Sequence, residues 1–154
     1  MKSILVIVAF VVGTLSPWRG IASPVDTNQQ RFDPDGFFYI LGEPPGEFRY
    51  IGHIALYRGS RNFHPFPSGV VSSKGNVLYK FNTLTVTRHR FAFTTRAVRG
   101  VSYSFTGRFL KGGVFATEGE APTDIPYLEG RLRKLRGGKR VAEAYLKFTY
   151  FAGT

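Results

Sequence analysis

The 154-residue chain has no cysteine, one tryptophan (Trp18) and one methionine (Met1). Without thiols it can form no disulfide, no thiolate nucleophile and no lipid-modified N-terminal cysteine, so packing alone must hold the fold in an oxidising compartment. Histidine is nearly as scarce. His53, His64 and His89 stand 11 and 25 residues apart, which matches no common metal-ligand spacing, and no metal or cofactor is expected. A Gly-x-Ser-x-Gly elbow is also missing, leaving no nucleophile poised against a base. An enzyme with a site inside the domain is therefore only a distant alternative.

Acidic residues are few, ten against 21 Lys and Arg, and none lies between Glu47 and Glu118. That interval holds Arg49, Arg58, Arg61, Lys74, Lys80, Arg88, Arg90, Arg96, Arg99, Arg108 and Lys111. A second basic cluster, Arg131, Arg133, Lys134, Arg136, Lys139 and Arg140, follows near the end. Such a field attracts anions and raises their encounter rate.

A long hydrophobic run is lacking too. The stretch from Ile4 to Leu15, interrupted by Gly13 and Thr14, falls short of the roughly 20 apolar residues that cross a bilayer. Lys2 precedes it, Pro17 and Gly20 follow it, and Gly20-Ile21-Ala22 offers small residues to a signal peptidase. Residues 1–22 therefore read as a cleavable signal peptide cut after Ala22, giving a secreted or periplasmic protein. Loss of Lys2 and Arg19 lowers the net charge from +11 to +9. The remaining 132 residues make one domain, able to bury roughly 65–70% of the unfolded surface. For an exported chain, acidic polysaccharide or anionic lipid is a more fitting partner than nucleic acid, which is not expected.

What the chain does have is short β-branched and aromatic runs, punctuated by Gly and Pro about every ten residues. Residues 23–35 read as a flexible polar leader and 36–154 as the domain. Strands are expected over Phe37–Leu41, Phe48–Tyr57, Val70–Ser72, Val77–Phe81, Thr83–Thr87, Phe91–Phe93 and Val101–Phe109. The first of these is followed by a turn at Glu43-Pro44-Pro45-Gly46. In the second, Phe48, Tyr50, Ile54 and Leu56 read as sharing a face. Tyr127–Leu135 and Arg140–Phe151 read as a closing hairpin around Gly137-Gly138. There Leu128, Leu132 and Leu135, and the run Val141 to Leu146, also suit a helix, but the glycines favour strands. Gly107-Arg108-Phe109 is echoed by Gly130-Arg131-Leu132, as though each glycine bends a strand inward at a barrel corner.

The fold expected is all-β: a single small antiparallel β-barrel, calycin-like, an up-and-down meander of about 8–9 strands, which removes exposed edges. A β-sandwich is the alternative. The likeness to lipocalins is one of architecture only, since the sole Trp lies in the signal peptide and the Gly-x-Trp signature is absent.

Two functions of different class follow. The first is a non-catalytic binding module for a small apolar or anionic ligand, with Phe63, His64 and Phe66 at the mouth and Arg90, Tyr103 and Phe105 inside. The second is a basic surface-association protein that holds acidic envelope polymers or anionic lipid through the acid-free interval and the cluster Arg131, Arg133, Lys134, Arg136, Lys139 and Arg140. Asp33-Pro34-Asp35-Gly36 suits a turn better than a calcium loop, and Glu118, Glu120 and Asp124 suit a solvated acidic loop.

Overall fold

Alternation with a period of two, the pattern of residues 101–109, runs through most of the chain, and its consequence is a sheet that buries one face along its whole length. A computed structural model describes residues 32–57, 68–110 and 124–153. Eight strands form in chain order: β1 (Gly36–Ile40), β2 (Ile51–Tyr57), β3 (Ser68–Ser73), β4 (Leu78–Thr87), β5 (Arg90–Thr95), β6 (Val101–Phe109), β7 (Leu128–Arg136) and β8 (Lys139–Phe151). Each pairs antiparallel with the next, and β8 returns to β1 through Phe38↔Tyr150 and its neighbours, closing the barrel. Closure satisfies the backbone groups that edge strands would leave open. Both runs that also suit a helix are strands, paired from Leu128↔Phe148 to Arg136↔Lys139.

Meander topology gives the barrel two unlike ends. One end, the turn end, carries the turns after β3, β5 and β7 and a 3-10 turn at Gly46–Phe48. Gly137-Gly138 turns with φ of 55° and 78°, and Arg99-Gly100 with φ of 50° and 75°. Both are left-handed pairs whose twist suits a two-residue hairpin. The opposite, leader end is where β1 begins and where β2 and β6 end, the connections 58–67 and 111–123 lying outside the described residues.

Register shifts break simple alternation in three places among the described residues, one of them between Lys134 and Leu135 where β7 pairs with β8. Over 48–57, Phe48 is buried but Tyr50 is 60% exposed, beneath the Arg49 guanidinium at 4.9 Å. Tyr50 therefore does not share the face of Ile54 and Leu56: the 3-10 turn ends before Arg49, and a bulge between Ile51 and His53 resets the register. In β4 a shift between Phe81 and Thr83 lets Tyr79, Phe81, Leu84 and Val86 all face inward along one strand instead of two. A bulge preserves sidedness across a change of parity.

The leader's last residues are packed. Pro34 is fully buried, the Phe32 ring meets Phe109 edge-on at 5.2 Å, and the Tyr150 hydroxyl donates to the Asp35 carbonyl. The Asp35 N–H donates to Asp33 Oδ1 at 3.4 Å, as in a turn.

Aromatic rings fill the interior. Phe81 stacks on Phe93 (4.2 Å, 17°), Phe93 on Phe105 (5.7 Å, 21°), and Phe105 meets Phe148 edge-on at 5.6 Å, carrying ring contact from β4 to β8. Each such pair adds about 0.5–1.5 kcal/mol beyond the burial of its area.

Candidate anion-binding surface

Several of the residues that alternate outward from β5 to β8 are arginines and lysines, because their apolar neighbours point inward. Leu132 is fully buried while Arg131 and Arg133 on either side face out. Arg90, Arg108, Arg131, Arg133, Arg140 and Lys147 share this outer face with two carboxylates, Glu129 and Glu143.

The carboxylates hold the guanidinium groups in place. Glu143 Oε1 accepts from Arg131 at 3.0 Å, while its Oε2 accepts from Arg133 Nε and, at 3.2 Å, from Arg140. Hydrogen bonds from Arg133 and Arg131 hold its carboxyl at about 2. Glu129, with only 10% of its side chain exposed, takes Arg108 Nε at 2.9 Å and Nη2 at 2.8 Å. Arg108, helped by the Tyr145 hydroxyl and the Lys147 charge, holds Glu129 below the usual carboxylate range. Each guanidinium has five N–H donors, so these pairs orient the arginines while leaving donors for a further anion.

The echo between Gly107-Arg108 and Gly130-Arg131 gains a spatial meaning. Gly107 and Gly130 are register partners, so in antiparallel strands the arginine after each glycine lands on the opposite side of the pair: Arg108 opposite Glu129, Arg131 opposite Thr106. Together with Arg90 and His89 from the β4–β5 turn and Tyr145 from β8 they line an open groove of about 350 Å³.

The interior residues divide. Tyr103 and Phe105 face inward and are buried. Burial, reinforced by Tyr79 at 4.9 Å between ring centroids, pushes the Tyr103 hydroxyl up to about 12. Arg90 does not point inward. It precedes Phe91, which is fully buried, and the alternation sends its side chain to the outer groove. Phe63, His64 and Phe66 lie outside the described residues, as do Glu118 and Glu120. Asp124 is exposed.

Nor is the cluster from Arg131 to Arg140 one surface. Arg131, Arg133 and Arg140 converge on Glu143, whereas Lys134 turns to the inner face, 14% exposed, and binds Glu47 at 2.6 Å. Arg136 and Lys139 flank the hairpin tip at the turn end. A sheet sends sequence neighbours to opposite faces, which a linear charge run hides.

His53 packs against Phe37 (5.3 Å) and Tyr39 (5.5 Å) outside β1 and β2, away from His89 in the groove, and among the described residues no three His, Asp or Glu side chains are grouped to hold a metal. Also among the described residues, no helix is long and apolar enough to cross a membrane.

The groove residues that sequence reasoning missed are Glu129, Tyr145 and the pairing of Arg108 with Arg131 across the glycines. The signal for the last was present in the echoed motif. Comparison of the chain with protein-family models, curated proteins and solved structures finds no match.

Proposed function

We propose that this is an exported, basic surface-association protein whose β5–β8 outer face holds acidic polymers of the cell envelope. The observation that carries it is the convergence of Arg90, Arg108 and Arg131, from three strands, on one groove. Arginine suits this role because its planar fork meets carboxylate, sulfate or phosphate with paired hydrogen bonds. The two acids of the face are already engaged by Arg108, Arg131, Arg133 and Arg140, so they position cations more than they repel a ligand.

Equilibrium binding of the purified protein to a polyanion, measured across a salt series, tests this reading. Affinity that falls steeply as salt rises supports it, because charges at a solvated surface are screened within about 8 Å at physiological ionic strength. No binding at low salt overturns it.

A second reading places a small apolar or anionic ligand inside the barrel. It draws on the polar cluster at the inner turn end, where Tyr79, Tyr103, Lys134 and Glu47 come together. Thermal stabilisation by such a ligand that persists in high salt favours this reading over the first.

A further inference from the structure

The groove is chemically two-sided. On one edge stands Arg90, which has no carboxylate partner among the described residues. On the other lies Glu129, largely covered and kept ionised by Arg108. Beside Glu129, on the neighbouring strand β8, Tyr145 is 58% exposed. Glu129 pairs in register with Lys147, two residues beyond Tyr145 on β8. Tyr145 therefore stands diagonally from Glu129 along the sheet, with more than half of its surface open to solvent.

A simple anion uses only the arginines of such a site. An apolar tail finds charges on both sides. The ligand that satisfies every part carries an anionic group, hydroxyls at a distance from it, and a flat C–H face: an acidic sugar. Its carboxylate meets Arg90, away from Glu129. One ring hydroxyl donates to the free lone pairs of Glu129, and its C–H face covers Tyr145. At about 350 Å³ the groove lies at the small end of the range for small-ligand sites, about 300–1,000 Å³, which suits a monosaccharide-sized unit of a longer chain.

We infer that the Arg90–Glu129–Tyr145 groove is a subsite for one uronic-acid unit of an acidic polysaccharide. The inference rests on the polyanion reading of the same face and names its substrate class.

The test compares oligogalacturonate with linear polyphosphate of equal charge, binding the purified protein and its Tyr145→Ala, Tyr145→Phe and Arg90→Gln variants at one salt concentration. Expected is about a tenfold preference for the uronate, lost in Tyr145→Ala, whose polyphosphate affinity stays the same, and largely kept in Tyr145→Phe, which retains the ring. Arg90→Gln weakens both ligands. Unaltered melting temperatures show that the barrel is intact, as the exposure of Tyr145 leads one to expect. Equal affinity for the two ligands, or a uronate preference that survives Tyr145→Ala, overturns the sugar subsite while leaving polyanion binding in place. Failure of both ligands to bind at low salt removes the polyanion reading and the subsite together.

Discussion

Gly107 and Gly130 face each other directly across β6 and β7, and the Phe105 ring covers both. A methyl group at position 130 would stand 2.5 Å from Gly107 Cα and 2.6 Å from Phe105 Cζ. At position 107 it would stand 2.2 Å from the Glu129 carbonyl oxygen. Backbone cannot yield as a flexible side chain can, so Gly107→Ala and Gly130→Ala are each expected to destabilise the protein by about 2–3 kcal/mol, measured by denaturant unfolding. Phe105→Ala should not rescue either variant, because the backbone clashes remain.

The β5–β6 turn offers the opposite experiment. Arg99 adopts φ of 50° ahead of Gly100, a conformation that glycine and asparagine accept and most side chains resist. Arg99→Asn is therefore expected to stabilise the protein by about 0.5–1 kcal/mol in the same assay, while leaving the β5–β8 face untouched.

Acid stability follows from Glu143. Arg133 and Arg131 draw its carboxyl from 4.5 down to about 2 in the folded protein. A depressed folded value stabilises the fold above the unfolded value and loses that contribution as pH falls through the folded one. The melting temperature should thus decline between about pH 4.5 and 2, and the decline should be shallower in Glu143→Gln.

Tyrosine governs the alkaline side. Tyr103 and Tyr150 are each raised from 10.0 to about 12, first by burial and then by Tyr79 for Tyr103 and by Asp35 for Tyr150. Their neutral forms stabilise the fold fully below pH 10, and this is lost as pH rises towards 12. In a spectroscopic titration of tyrosinate, the last phenols to ionise should coincide with unfolding, and Tyr103→Phe should remove one of them.

Much of this architecture was legible in residues whose burial alternates. Val101–Phe109 forms the strand expected, and Gly137-Gly138 the turn, because local periodicity and turn chemistry agree with the tertiary fold. Tyr50 departs from the expected face because a helical turn precedes it and a bulge separates it from Ile54, and neither changes composition. The site was less legible. Arg90 was expected inside, yet one residue of register decides its face, and that register is set by the turn at Arg88-His89. Lys134 is continuous in sequence with Arg131 and Arg133, yet the strand sends it inward to a partner 87 residues away in sequence. Tyr145 was masked by the helical character of the run around it. Only the pairing of β7 with β8 brings it beside Arg131.

The central claim is that a particular face, and not net charge, holds the acidic partner. Two double variants of equal charge separate these: Arg90→Gln with Lys147→Gln on the outer face, and Arg136→Gln with Lys139→Gln at the hairpin tip. Affinity for an acidic polysaccharide at low salt is expected to fall about tenfold or more in the first and to change little in the second. Equal losses in the two would contradict the account, leaving only an unspecific attraction between a basic protein and a polyanion.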